Sequence, residues 1–286
     1  MKNKAINIKN LEELSPLFKG KAGNQCAEIM MHLLSIDKIN KLYDHNFDYK
    51  GVDFASRLLN DLKVNYRIGN IDRLKILLKG AFISISNHPY GGLDGIMLID
   101  LMARIRPDYK FMVNKVLSLI KTMDENFISV TPVTTKKPEI SVNFSSIRET
   151  LIHLKEGHPV GVFPSGAVSD FSLRDMSIRD REWQESVLKL IKMARVPIIP
   201  IRFFDNNSPF FYFLGLINWK IRLMRMPSEV FNKKKQLPRI GIGEIISVKE
   251  QEQYTDIKSF GIFLRKSVYD MPVPTSFIHR TAISYR

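Results

Sequence analysis

At 286 residues, with 44% hydrophobic and 25% charged residues, the chain is long enough to bury a substantial core and has the make-up of a globular protein, which excludes disordered and fibrous classes. Its 43 Lys and Arg outnumber 29 Asp and Glu for a net charge of +14, which favours an anionic partner without choosing among nucleic acid, lipid headgroups and an acidic carrier protein. A single cysteine, Cys26, excludes an intramolecular disulfide, argues against structural zinc and fits a reducing compartment.

The amino-terminal stretch lacks an apolar signal core, and no apolar run reaches the roughly 18 residues of a membrane-spanning helix, so any membrane contact is expected to be peripheral. From about residue 10 to 63, apolar positions recur at three- and four-residue spacing in "CAEIMMHLLSIDKINKLY" and, after a Gly break, in "GVDFASRLLNDL". That spacing predicts a helical preface over 1–63, packed on the remainder as one globular unit. There follow in turn "AFISIS", "GIMLIDLMARI", "YKFMVN", "VLSLIKTM", "FISVTPV", "SSIRETLIHLKEG", "PVGVFP", "REWQESVLKLIKMA" and "VPIIPIRF". Short apolar runs alternating with helical patterns predict an α/β domain over 64–286, with a mostly parallel central sheet flanked by helices.

The next stretch, "FFDNNSPFFYFLGLINWKIRLMRMP", mixes aromatic residues with Lys220, Arg222 and Arg225. It suits an interfacial amphipathic helix and equally suits core packing. "NKKKQ", 232–236, reads as a solvated turn, and two prolines in the tail "MPVPTSFIHRTAISYR" predict an irregular end.

Sites in open α/β sheets form beyond the carboxyl ends of strands, and two unusual loops occupy such places. In "NHPYGGLDG", after "AFISIS", a His and a carboxylate form the minimal unit for activating a hydroxyl: the carboxylate fixes the imidazole tautomer and the other ring nitrogen takes a proton. Gly91 and Gly92 permit the tight turn that would bring His88 and Asp94 together. The alternative is that His88 caps a turn and Asp94 is the N-cap of the following helix.

The second loop, "FPSGAVSD", sets Gly166 among small residues after a strand, where backbone N–H groups can face an anion or a developing oxyanion. Ser165 and Ser169 offer hydroxyls, but "FPSGA" lacks the glycine that a nucleophile elbow needs two residues before its serine, and turn formation is the plainer role for both. His32, His45, His153, His158 and His279 stand singly without metal-ligand spacing, so no metal is expected. Phosphate-binding P-loop and dinucleotide fingerprints are absent from the sequence.

"NHPYGGLDG", "FPSGAVS" and "VPIIPI" occur in the order, and near the spacing, of blocks in the glycerolipid acyltransferase superfamily, which includes the 1-acylglycerol-3-phosphate acyltransferases. Its members carry a His-Asp block after an early strand, an "FPEGTRS"-like block and a later "PIIPV"-like strand. The resemblance runs from about Val64 to Val248. Within it, "NHPYGGLDG", "FPSGAVSD…RDREW" and "NNSPFFY" look most like bacterial haemolysin-like O-acyltransferases of lyso-aminolipids such as ornithine and glycine lipids.

The resemblance implies transfer of a fatty acyl group to a lysolipid hydroxyl in membrane lipid biosynthesis, without a covalent acyl-enzyme and without a cofactor. The donor is an acyl thioester of acyl carrier protein or coenzyme A, and the place is the cytoplasmic face of the inner membrane, peripherally. It implies His88 as general base and Asp94 as the group that orients it. Asn87, Gly91, Gly92, Phe163, Pro164, Ser165, Gly166, Ser169, Arg174, Arg179 and Pro200 are the implied substrate-binding residues, with the Gly166 loop positioning the acceptor or meeting the oxyanion and Pro200 on the strand that shapes the pocket.

Two departures from the family pattern matter. Five residues, Pro89 to Leu93, separate the His from the Asp where four is commoner, and Ser165 and Val168 stand where the second block usually carries Glu and Arg. That Arg is associated in the family with the acceptor phosphate, and a valine cannot make its bidentate, charge-assisted contact. A lyso-aminolipid acceptor is therefore expected over lysophosphatidic acid, with Arg174, Arg179 or Arg202 as candidate replacement cations. The altered blocks also leave open a catalytically silent lipid- or carrier-binding protein. The basic surface suits an anionic bilayer and an acidic carrier protein, and nucleic acid is not expected as a partner.

Overall fold

Three helices lead the chain: α1 (Gly20–Leu33), α2 (Ile36–Asn46) and α3 (Gly51–Asp61). Then follow β1 (Arg67–Gly69), β2 (Ile83–Ser86), α4 (Gly92–Ile105), β3 (Lys110–Asn114), β4 (Phe127–Val130), α5 (Phe144–Lys155), β5 (Val160–Val162), β6 (Asp170–Ser172), β7 (Ser177–Arg179), α6 (Glu185–Ala194) and β8 (Ile198–Phe203). The chain continues through α7 (Pro209–Ile217), α8 (Trp219–Phe231), β9 (Arg239–Ile242), α9 (Val248–Gln251), α10 (Ile257–Tyr269) and β10 (Ile278–His279). This computed structural model describes residues 3–7, 19–114, 117, 120–130 and 144–283. The expected helix before residue 19, the "TPV" end of the "FISVTPV" run and positions 116, 118 and 119 of "VLSLIKTM" lie outside the described residues.

Eight strands form one sheet in the order β10-β1-β9-β8-β2-β5-β3-β4, and β6 and β7 form a separate hairpin. The β2 strand pairs in parallel with both β5 and β8, and β3 pairs in parallel with β4 and β5. Among the described strands, the β8–β9 and β1–β10 pairings of the large sheet run antiparallel. The chain thus has the expected α/β class, and β2, flanked by strands on both sides, is buried at all four positions.

Alternation along the strands sends side chains to two cores. On one face Phe111, Val113, Ile199 and Ile201 meet Leu59 of α3 and Met97, Leu98 and Leu101 of α4. On the other, Ile83, Ile85, Met112 and Val162 meet Leu188 and Ile191 of α6 and Phe260 and Leu264 of α10. Each such residue, fully buried, contributes about 1.5–3 kcal/mol. Gly161 on β5 makes room between the strands: a Cβ there would lie 2.0 Å from the Tyr109 hydroxyl. That hydroxyl is hydrogen-bonded to the Ser84 hydroxyl of β2 at 2.7 Å, both groups being buried.

Three expectations meet a different outcome. The aromatic stretch after β8 is two helices, α7 and α8, because Asn218 leaves the helical region and its side chain accepts the Lys220 amide, so that a second helix starts where no Gly or Pro stands. "NKKKQ" is a turn, but Lys233 is only 2% exposed, its ammonium lying 3.5 Å from the buried Glu229 carboxylate. The tail is irregular over 271–277, as expected, but then adds the edge strand β10, and Arg280 is buried, with Nε 2.9 Å from an Asp100 oxygen of α4 that also accepts the Tyr66 hydroxyl at 2.8 Å.

Candidate active site

The two unusual loops meet because β2 and β5 are neighbouring parallel strands, so their carboxyl ends open on the same edge of the sheet. Asn87 extends β2 by one rung: its side-chain amide donates to the Phe203 carbonyl at 2.9 Å and its oxygen accepts the Phe203 amide at 2.8 Å. The next residue, His88, is thereby held at a fixed height above the sheet.

His88 Nδ1 lies 2.9 Å from Asp94 Oδ2. The same oxygen accepts the backbone amides of Tyr90 at 2.8 Å and Gly91 at 3.1 Å. An oxygen that already accepts two N–H groups is an acceptor for the third, so Nδ1 donates, and in the neutral ring the lone pair is on Nε2. Asp94 stands at the third position of α4, with Gly91 as the N-cap, so it is not itself the N-cap; it accepts the N-cap amide, the half of a capping box that a glycine permits, and orients the imidazole with one atom. Gly91 adopts φ +77°, and a Cβ there would lie 2.6 Å from Met226 Sδ; glycine alone fits both demands. The His88 side chain is 15% exposed and that of Asp94 is fully buried. Burial pushes the Asp94 carboxyl above the usual range, while the bonds from His88 and from the Tyr90 amide pull against it.

The ring of His88 stacks on Phe163, centroids 3.9 Å apart, and Phe163 in turn lies 4.6 Å from Phe111 in the core. The loops are also tied through their backbones. The Ser169 amide donates to the His88 carbonyl at 2.9 Å, and Asp180 accepts the His88 amide at 3.1 Å and the Ser169 hydroxyl at 2.6 Å. Asp180 is 4% exposed, and burial pushes its carboxyl up as well, against the Ser169 and His88 bonds that favour its charged form. Its own amide donates to the Tyr269 hydroxyl at 2.7 Å and its carbonyl accepts from Arg265 at 2.6 Å, which fastens the segment to α10. Beside His88 lies a small cavity of about 30 Å3, bounded by Phe163 and Gly166 and by the apolar Met112, Val130, Val162 and Val187.

Helices α7 and α8 close over the first loop. The Pro89 carbonyl accepts from the Asn207 side chain at 3.0 Å and from the Tyr212 hydroxyl at 3.3 Å, and the Lys233 ammonium sits 4.9 Å from the centre of the Tyr90 ring. Val168 is buried among Phe211, Tyr212 and Met226. Arg222 of α8 is buried, ion-paired with Asp170, and donates to the Ser169 carbonyl at 3.1 Å. Burial pulls its guanidinium below the usual range, and Asp170 opposes this.

Among the residues expected from sequence to bind substrate, the structure brings Asn87, Gly91, Phe163, Gly166 and Ser169 around the His88–Asp94 pair. Gly92 is the first residue of α4, and Ser165 is turned inward, its hydroxyl donating to the Ala167 carbonyl at 2.8 Å. The Pro164 carbonyl accepts the Gln184 amide at 2.9 Å, tying the second loop to α6.

Others are placed elsewhere. The Gly166 amide donates to the Phe163 carbonyl at 2.9 Å, which commits that N–H to a turn and removes it as an oxyanion donor in this conformation. Arg174 and Arg179 are exposed on the β6–β7 hairpin and do not line the His88 cavity, because the hairpin carries them outward. Arg202 donates to the Tyr269 and Met271 carbonyls and is thereby occupied. Pro200 lies in mid-strand on β8, in register with Ile85 and packed against Gly243, and is not part of the cavity wall. His32, His45 and His158 pair with Asp37, Asp61 and Asp108, and His153 bonds the Asp108 carbonyl.

Asp180 and Arg222 are the site residues that sequence reasoning missed. The quoted "RDREW" contains the first, and the second is the middle one of three basic residues, Lys220, Arg222 and Arg225, on α8; no spacing rule links either to the His-Asp loop.

The chain is similar to two bacterial proteins described as lyso-glycine lipid O-acyltransferase. The one from Bacteroides thetaiotaomicron is 23% identical over 242 residues, covering 82% of this chain and 85% of the relative. The one from Phocaeicola vulgatus is 24% identical over 276 residues, covering 91% and 95%. Among solved structures, a 1-acyl-sn-glycerophosphate acyltransferase, PlsC, from Thermotoga maritima matches with a TM-score of 0.44 and 12% identity, over 85% of this chain and 91% of that one. The acyltransferase family matches residues 25–274, a span that takes in the large sheet apart from its edge strand β10, both loops and the helices above them. A match of that extent settles the kind of reaction: this chain belongs to the acyltransferase family and is an enzyme that transfers acyl groups.

Proposed function

We propose that the enzyme moves a fatty acyl group from an acyl thioester, of acyl carrier protein or coenzyme A, to the hydroxyl of a lysolipid held in a membrane, and that the lysolipid is an aminolipid of the glycine or ornithine type. The observation that carries the reading is the His88–Asp94 pair, whose geometry gives one imidazole nitrogen to the carboxylate and leaves the other as an acceptor beside a cavity. The names of the two relatives support the lysolipid acceptor.

In this mechanism the acceptor hydroxyl gives its proton to His88 Nε2 as its oxygen attacks the thioester carbonyl carbon. The C–S bond then breaks, and the departing sulfur takes the proton from the imidazolium. Asp94 holds the ring and stabilises the imidazolium formed in the transition state, and Phe163 keeps it from turning. The thioester is a co-substrate, and the mechanism calls on no cofactor and no metal.

Val168 supports the aminolipid over a phosphate. It and its neighbours Phe211, Tyr212 and Met226 make an apolar wall where the resembling block carries an arginine. The nearby Arg222 is 2% exposed and its charge is taken up by Asp170. The expected place of action is the cytoplasmic face of the inner membrane, reached peripherally. Among the described residues no helix is long and apolar enough to cross a membrane.

The test is acyl transfer from labelled acyl carrier protein and from acyl-coenzyme A to lyso-glycine lipid, lyso-ornithine lipid and lysophosphatidic acid. Product with an aminolipid and little with the phosphate is expected. A clear preference for lysophosphatidic acid overturns the reading of Val168, and absence of product with every acceptor overturns the function.

A further inference from the structure

Large apolar side chains stand out in water on one pair of helices. On α7, Phe210 is 52% exposed, Phe213 55%, Leu216 47% and Ile217 61%, and on α8 Ile221 is 45% and Met224 38% exposed. The α7 positions recur at three- and four-residue spacing and so share a face. The nine residues of α7, "PFFYFLGLI", include no charged side chain. Packed on α7 is strand β6, whose hairpin tip exposes Leu173 at 67% and Met176 at 72%.

Basic groups rim this face. Lys220 is exposed, its ammonium 5.7 Å from the centre of the Trp219 ring, and the Arg225 guanidinium lies 5.5 Å from the centre of Phe210. Arg222 and Lys233 are buried against Asp170 and Glu229, so among the described residues the cations of this stretch that reach the surface are Lys220, Arg225 and Lys234, and the acidic residue in 209–235 is Glu229. Glu229 is 1% exposed and accepts the amide and hydroxyl of Ser208, so it presents no negative charge outward. An uncharged apolar face with a cationic rim matches the acyl region and anionic headgroups of a bilayer.

We infer that the exposed face of α7 and α8, continued by the tip of the β6–β7 hairpin, is the surface on which the enzyme docks to an anionic bilayer; this rests on the lysolipid reading above. The same helices meet the site on their inner side. Arg222 bonds the Ser169 carbonyl, the Tyr212 hydroxyl bonds the Pro89 carbonyl, and Met226 lies against Gly91. Docking through the outer side therefore sets the His88 loop at the lipid surface, where a lysolipid has only to rise a short way to reach Nε2.

The experiment uses the full chain with vesicles of phosphatidylcholine, with and without phosphatidylglycerol. The variants are Phe213→Glu/Ile217→Glu and Lys220→Glu, all at exposed positions that fill no core. The wild type is expected to sediment with the phosphatidylglycerol vesicles. The double variant is expected to bind them at least about tenfold more weakly, since two inserted side chains are lost, and Lys220→Glu roughly fivefold more weakly. Acyl transfer to lysolipid in vesicles is expected to fall in step, while transfer to a short-chain lysolipid dissolved in water stays at the wild-type rate.

Vesicle binding by the double variant equal to that of the wild type overturns the inference and leaves the catalytic reading standing. Vesicle binding by a wild type that transfers no acyl group overturns the function and leaves the docking surface. A wild-type dimer in sedimentation equilibrium that the double variant dissolves, or capture of acyl carrier protein that the double variant abolishes while vesicle binding persists, assigns the face to another occupant and overturns the inference.

Discussion

Helix α4 carries two buried carboxylates, Asp94 in its first turn and Asp100 in its middle, and the two are neutralised in opposite ways. Asp100 faces Arg280, a cation that stays charged at any working pH, with the Tyr66 hydroxyl as a further donor. Asp94 is hydrogen-bonded to neutral amides and to the imidazole of His88, with the buried Lys233 ammonium acting on it only through space, and among the described residues its second oxygen is buried without a hydrogen-bond partner. A permanent counter-charge locks the tail to helix α4. An imidazole counterpart leaves a proton-accepting nitrogen next to an under-compensated carboxylate, which is the condition for general-base chemistry.

The comparison is broken most sharply at His88. His88→Ala is expected to lower kcat/KM for acyl transfer by about 10²- to 10⁴-fold with the thermal unfolding midpoint little changed. Activity equal to wild type in the folded variant would show that the pair is only a helix cap. Asp94→Asn keeps the shape but offers Nδ1 an amide in place of a carboxylate, and a loss of about 10²-fold or more is expected from steady-state kinetics. Arg280→Met is the mirror experiment. It takes the buried cation from Asp100 and leaves only the partly exposed Arg104, 3.3 Å away, so urea unfolding is expected to show a loss of up to about 3–5 kcal/mol, with kcat of the folded fraction unaltered. A fall in kcat at unchanged stability would make the two carboxylates one unit.

The smallest effect concerns Asp180. Burial raises its carboxyl, so the native chain holds that proton more tightly than the unfolded chain does. Stability from this group therefore falls as pH climbs from the ordinary carboxylate value through the raised one. Asp180→Asn removes this slope. Relative to wild type its urea midpoint is expected to improve steadily from about pH 4 upward, and a difference independent of pH would mean that Asp180 is ionised alike in both states.

How legible the molecule is from its sequence follows from how far apart the partners lie. Strands β2, β5 and β8 and helix α4 are legible because their burial patterns are local, and the His88–Asp94 pair because six residues and two glycines contain it. Asp180 reaches His88 across 92 positions, Arg222 reaches Ser169 across 53, and Arg280 reaches Asp100 across 180. No periodicity encodes such pairings. The break between α7 and α8 was hidden for a different reason: a capping Asn218 restarts the helix without the Gly or Pro that usually announces a break. The tail prolines, Pro272 and Pro274, mark the irregular stretch 271–277 correctly but say nothing of the edge strand that follows it.

One oxygen of Asp94 receives Tyr90, Gly91 and His88 together. The start of helix α4 and the aim of the imidazole are therefore a single cooperative unit. The amides of Tyr90 and Gly91 are sheltered from hydrogen exchange for as long as the ring is held, and they open when it is released. Two backbone amides thus keep time for the reacting nitrogen, and their exchange clocks how often the resting enzyme is out of order.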